Sequence, residues 1–306
     1  MDNFKKTIML FLSVFIVASL TACMGGGGGG VKPGDTAGKV VTVPMISESG
    51  EFPAITHEGT YGSGVSTNET STTQSASVEY DEDGSVISIT IDSPTAIITW
   101  NKVTGDEFLV ETVPDGLLFP AVYAKSIGIG EKRYGIFSAS TSMDMSYQAF
   151  GLWSTENEIA NAGSVGALSA GGITPQSVIP EVGEATFSGY SIGVYAKVPG
   201  SGGYVTSSDL SVGVDFGTRE LSFNTVNTRQ AGTGLSAGHL DMSGTLTYSS
   251  TDPVFRGTLT TESGLSGATT GRFYGPGAEE LGGVFEVSKQ GGLVSESYKG
   301  AYGAKR

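Results

Sequence analysis

The sequence predicts an all-β chain, and three observations carry that prediction. Glycine supplies 47 of the 306 residues, in segments otherwise rich in Ser, Thr and β-branched side chains, a composition that suits strands and tight turns. Few windows place apolar residues at the three-and-four spacing of a buried helix face, while many short runs alternate apolar and polar residues at the period of a strand. After residue 180 eight such runs follow one another, and eight strands can close a small barrel. The expected architecture is an N-terminal β domain followed by a C-terminal eight-stranded antiparallel β-barrel.

The first element is a leader. Lys5 and Lys6 precede an apolar stretch over residues 7–18 and the small residues Ser19, Thr21 and Ala22, so residues 1–22 read as a secretory signal peptide. The stretch is about a dozen residues long, short of the roughly 20 that a helix needs to span a bilayer. Leu20-Thr21-Ala22-Cys23 matches the lipobox of bacterial lipoproteins, in which the thiol is acylated and the peptide is cut before it. Each buried methylene adds about 0.8 kcal/mol and one chain holds only marginally. Cys23 is therefore expected to carry two or three acyl chains, palmitate among them, and to anchor the protein to a membrane. It is the single cysteine, which leaves no disulfide and no thiolate metal site. Met24, standing where Asp would signal inner-membrane retention, points to the outer membrane. Residues 23–39 hold the lipidated cysteine and a tether whose six glycines, 25–30, form a flexible coil. No strand precedes them and no Lys-Ser/Thr follows, so they are no phosphate loop.

Beyond residue 22 the chain carries 15 Lys and Arg against 30 Asp and Glu, a net charge of −15. That balance argues against nucleic acid as a partner.

Residues 40–175 form the expected first domain. Strand runs fall at 76–80, 86–91, 97–101, 108–113, 134–138 and 147–153. Asp81, Glu82, Asp83 and Gly84 join the first two, and the Asp-Gly pair suits a tight hairpin turn. A calcium loop would need further ligands, including a Glu at its twelfth position, that are missing. Trp100, Trp153, Tyr123, Tyr134 and Tyr147 read as packing residues at strand spacing, with interface anchoring as the alternative. From 163 to 183 Gly, Ser, Ala and Pro interrupt the strand pattern, which places the expected boundary near 175.

Residues 176–306 carry the eight barrel runs, at 185–197, 210–216, 219–226, 242–248, 254–260, 267–274, 281–287 and 298–303. Small residues between Phe187 and Tyr195 relieve crowding inside a narrow barrel, so side chains are expected to fill the interior, with a lipocalin-like pocket as the alternative.

No catalytic constellation emerges, and the chain is expected not to be an enzyme. His57 and His239 are the only histidines, and neither sits in a metal or triad spacing. Each is expected in a loop or at the surface, with haem or metal ligation as the alternative. Gly232, Gly234 and Gly238 mimic a dinucleotide loop without a following helix. The carboxylate pairs Asp106-Glu107 and Glu279-Glu280 are adjacent, so on a strand they would face opposite sides, and they read as turn residues.

Three stretches stand out in the second half. Residues 183–189 open the first barrel strand. Gly271, Phe273, Tyr274 and Gly275 lead through an acidic turn into Glu280, Leu281, Gly282, Gly283 and Phe285. The chain then ends on Gly300-Ala301-Tyr302-Gly303-Ala304-Lys305-Arg306. Together they resemble the barrel domain of the transferrin-binding protein B family of surface lipoproteins over about residues 176–306. By position the first domain corresponds to the family's handle domain, and Phe150-Gly151-Leu152-Trp153 is similar to one of its strands. The full-length family proteins have two handle-plus-barrel lobes, and this sequence has room for one. Transferrin recognition is attributed largely to the first lobe and cannot be mapped here residue by residue.

The resemblance implies a lipid-anchored, outer-membrane lipoprotein, displayed on the cell surface, that binds a macromolecular or iron- or haem-bearing ligand without catalysis. Transferrin, haemoglobin, a similar host or environmental protein, or haem would be the ligand. An outer-membrane transporter and a surface-lipoprotein translocator would be further partners. The alternative is a small-solute carrier that holds haem or lipid in a barrel or interdomain pocket. No cofactor and no binding residue follows from the resemblance.

Overall fold

Period-two alternation becomes two antiparallel sheets in the computed structural model, which describes residues 42–61, 68–111, 113, 116–128, 130–157, 162–198, 203–291 and 294–306. The expected leader, Cys23 and the expected glycine tether lie outside the described residues.

The first sheet holds β1 (Gly50–Tyr61), β2 (Asn68–Tyr80), β3 (Val86–Asp92), β4 (Ile97–Asn101), β5 (Glu107–Glu111), β6 (Ala121–Gly128), β7 (Glu131–Ser138), β8 (Gln148–Asn157) and β9 (Ala162–Gly171). Their order is β4-β3-β2-β1-β9-β8-β7-β6-β5. The expected hairpin joins β2 to β3: Asp81 Oδ1 accepts the N–H groups of Asp83 at 3.0 Å and Ser85 at 2.8 Å, and Gly84 takes a φ of +76°. The sheet curls until Trp100 of β4 meets Phe137 of β7 edge-on at 5.7 Å. Phe52, Ile91, Ile98, Trp153 and Leu168 complete the core it wraps.

The segment 162–171, read above as part of a break in the strand pattern, is a central strand paired with both β1 and β8. Its small residues serve packing. A Cβ on Gly166 would lie 2.3 Å from the Trp153 indole, so the ring lies flat only because that position is bare.

The second sheet is a closed barrel of β10 (Glu184–Val198), β11 (Tyr204–Asp215), β12 (Glu220–Gln230), β13 (Met242–Thr247), β14 (Phe255–Thr261), β15 (Ser266–Tyr274), β16 (Glu280–Gly291) and β17 (Val294–Lys305). All eight expected strands are present, and pairing of β17 with β10 closes the ring, leaving no free edge. Aromatic side chains fill the interior as expected. The Phe273 ring packs against Phe187, Phe216, Tyr248 and Phe255 at centroid distances of 5.4 to 6.3 Å. Two buried phenols are satisfied inside the barrel, Tyr298 with Thr206 and Tyr302 with Thr269, both at 3.0 Å.

Strands β16 and β17 lie against β1, β8 and β9. Ile55, Phe119, Phe150, Ile192, Val284 and Ala301 form one buried cluster across this seam. Burying each of the Ile, Val and Phe side chains contributes about 1.5–3 kcal/mol, and both sheets belong to one compact unit, Val41–Arg306. Gly303 permits the close approach, since a Cβ there would sit 2.5 Å from the Phe150 ring.

Candidate functional site

Strand alternation sorts the barrel signature into two sets. Phe273, Leu281 and Phe285 point into the barrel core, and Gly271 lies against the Phe255 ring on the same side. Tyr274, Glu280, Gly282 and Gly303 face the first sheet. Tyr274 Oη donates to the Ser169 carbonyl at 3.2 Å and shares a bond with Ser169 Oγ at 2.9 Å; burial pushes the phenol up to about 12. Gly275 N donates to the Gly172 carbonyl at 2.9 Å. Gln148 Nε2 crosses in the other direction, donating to the carbonyls of Leu281 at 2.6 Å and Ala304 at 3.2 Å. The signature residues described here therefore build a core and a seam. None of these contacts leaves a group aimed at a ligand.

Glu280 departs from the turn expectation. It opens β16, is 3 % exposed, and accepts the backbone N–H groups of Ser146 at 2.6 Å and Tyr147 at 3.2 Å. Burial raises its carboxyl to about 7, against the pull of the N–H donors of Ser146, Tyr147 and Gln148. Its neighbour Glu279 stays in the turn, accepting from Gly277 N at 2.8 Å.

His57 departs from the surface expectation as well. It lies on β1 at the seam, 1 % exposed. Nδ1 and Thr70 Oγ1 share a bond at 2.8 Å, and Nε2 faces Glu286 Oε2 of the barrel at 3.4 Å. Lys299 pairs with the other Glu286 oxygen at 3.4 Å and contacts Asn68 of β2. Burial lowers the imidazole to about 4 although Glu286 pulls it upward, so it is neutral at pH 7. His239 sits in a short turn at one end of the barrel, its ring edge-on to Tyr195 at 5.8 Å. The two histidines are thus not brought together. Among the described residues no three His, Cys, Asp or Glu side chains gather as metal ligands.

The aromatic residues of the first sheet divide. Trp100 and Trp153 are buried in its core, Tyr123 packs against the seam cluster, and Tyr134 is exposed on β7.

A site that sequence reasoning missed lies inside the curled first sheet. It is a cavity of about 280 Å³ between the β1–β3 wall and the β5–β7 wall, with β8 and β9 as its back. Phe52, Ala76, Leu168 and Ala170 line its buried part, while Gly84, Ser85 and Val110 are exposed at its rim. Among the described residues that line it, none is Asp, Glu, Lys, Arg or His. Tyr80 ties the rim together, its hydroxyl donating to the Ile46 carbonyl at 3.0 Å.

Residues 179–306 match the family model for the C-lobe and N-lobe beta barrels of Tf-binding protein B. The barrel is therefore of the transferrin-binding-protein-B type. Among solved structures, the chain is similar to a mutant transferrin binding protein B from Haemophilus parasuis Hp5, at 18% identity and a TM-score of 0.43, over 76% of this chain and 51% of that one. It is similar to the isotype 1 transferrin binding protein B of serogroup B Neisseria meningitidis, at 18% identity and a TM-score of 0.42, over 76% and 49%. A structure described as a surface lipoprotein aligns at 11% identity and a TM-score of 0.38, over 81% of this chain and 98% of that one. The chain spans about half the length of these two transferrin binding proteins. No curated protein matches it.

Proposed function

We propose that a barrel of the transferrin-binding-protein-B type makes this chain a non-catalytic binding lipoprotein, held by lipid on Cys23 in the outer membrane and displayed at the cell surface. The observation that carries the reading is the match of residues 179–306 to that family's barrels. A solid aromatic barrel core supports it, because a scaffold that binds through its outer surface needs no lumen. Its ligand is a macromolecule or an iron- or haem-bearing carrier, with transferrin and haemoglobin the first to try. The first sheet offers contact area for such a partner: β4 and β5 are its unpaired edges, and Ile97, Leu109 and Val110 stand exposed along them.

Protease treatment of intact cells tests the display, and degradation of the folded chain without lysis is the expected result. Full protection would overturn the surface assignment. Binding is tested by passing serum, transferrin and haemoglobin over the immobilised full chain. Saturable retention of a protein or haem carrier is expected, and repeated failure with folded protein would count against the reading.

The small-solute alternative loses its barrel version, since aromatic rings occupy the lumen. Its remaining support is the cavity in the first sheet.

A further inference from the structure

We propose that the curled first sheet is a binding module in its own right, and that its cavity takes a neutral, medium-length hydrocarbon chain. The cavity shares only Val110 with the edge surface proposed above, and its test reads small-molecule binding rather than protein retention, so either assignment can fail while the other stands.

The lining decides the chemistry. Among the described residues no Asp, Glu, Lys, Arg or His lines this cavity, and its buried surface is mainly apolar, with Phe52, Ala76, Phe137, Leu168 and Ala170 beside the neutral hydroxyls of Ser138 and Ser140. A carboxylate or phosphate placed there would lose its hydration and meet no compensating cation. Hydrocarbon loses nothing polar on entry and gains burial of its own apolar surface.

The volume decides the size. A dry apolar cavity of about 150 Å³ accepts benzene, and scaling that ratio to about 280 Å³ gives room for roughly eleven carbon-sized atoms. A porphyrin is several times too large; the lining supplies no His, Cys or Met to hold its iron, and its one tyrosine, Tyr80, is engaged with the Ile46 carbonyl. A linear chain fits better than a bulky ring system because the space runs between two opposing walls of strands.

The rim decides the orientation. Gly84 and Ser85 of the β2–β3 turn, with Val110 of the edge strand β5, are the exposed lining residues, and they mark the entrance. A neutral hydroxyl or ester at the end of the chain would remain there, within reach of Ser85 and water. Leu168 and Ala170, buried on β9, form the floor that the far methyl would touch.

Calorimetric titration of the full chain with a series of linear alcohols tests the site. Saturable binding of 1-decanol in the micromolar to millimolar range is expected, tightening with chain length up to about ten carbons and then levelling. Ala170→Leu and Ala76→Leu, which fill the cavity, should each weaken 1-decanol by at least about ten-fold, a change worth about 1.4 kcal/mol. Val78→Ala enlarges it and should move the optimum toward 1-dodecanol, which keeps the test decisive should a filling variant fail to fold. Absence of saturable 1-decanol binding would overturn the proposal. So would wild-type affinity in a folded filling variant, or an unchanged chain-length optimum in Val78→Ala.

Discussion

Two buried titratable groups at the seam pull stability in opposite directions with pH, and removing them one at a time should expose each slope. Glu280 is raised from 4.5 to about 7 by burial. The folded state therefore binds its proton more tightly, so its stabilisation is complete below pH 4.5 and is lost as pH rises to 7. At about 1.4 kcal/mol per pH unit, that interval is on the order of 3 kcal/mol. His57 is lowered from 6.5 to about 4 by burial. Its contribution is complete above pH 6.5 and is lost as pH falls to 4, by an amount also on the order of 3 kcal/mol. Between pH 4.5 and 6.5 the two slopes cancel in the wild type. The stability of Glu280→Gln relative to wild type should then rise across pH 4.5–7, while that of His57→Asn should fall across pH 4–6.5. Urea denaturation followed by Trp100 and Trp153 fluorescence at half-unit pH steps measures both differences. Glu286, Lys299 and Glu58 also act on His57, and Glu279 acts on Glu280. A Glu280→Gln difference that stays flat or falls with pH would refute the reasoning. It would mean that the N–H donors of Ser146, Tyr147 and Gln148 outweigh desolvation.

Other consequences concern packing at and near the seam. Gly303→Ala brings a methyl within 2.5 Å of the Phe150 ring and should cost about 1–3 kcal/mol, read as a lower melting temperature. Gly166→Ala sets a methyl 2.3 Å from the Trp153 indole; a comparable loss, with a shift in Trp emission, is expected. Tyr274→Phe removes the hydroxyl shared with Ser169 and should destabilise by about 1 kcal/mol, with barrel circular dichroism unchanged.

The barrel was readable strand by strand because its information is local. Alternation along 267–274 or 281–287 shows in a few consecutive residues, and a closed sheet with a filled interior satisfies all of them at once. The hairpin at Asp81 was readable for the same reason: its Asp supplies the hydrogen bonds and its Gly the positive φ within five residues. By contrast β9 looked like a linker. Gly163, Gly166 and Gly171 carry no strand preference, and the partner that explains Gly166 is Trp153, thirteen residues earlier on a neighbouring strand. Glu280 read as a turn acid because nothing near it in sequence announces Ser146 and Tyr147 as its partners.

From the sequence alone came the all-β class and the eight barrel strands, because side-chain period and turn chemistry are properties of short segments; the barrel's family type came from the resemblance of residues 183–189, 271–285 and 300–306. Only the tertiary structure decided that His57 is buried opposite Glu286, that Gly303 exists for Phe150, and that the first sheet curls around an uncharged cavity. Each of these depends on groups that lie far apart along the chain, and sheet curvature, which no local pattern encodes, determines which of them meet.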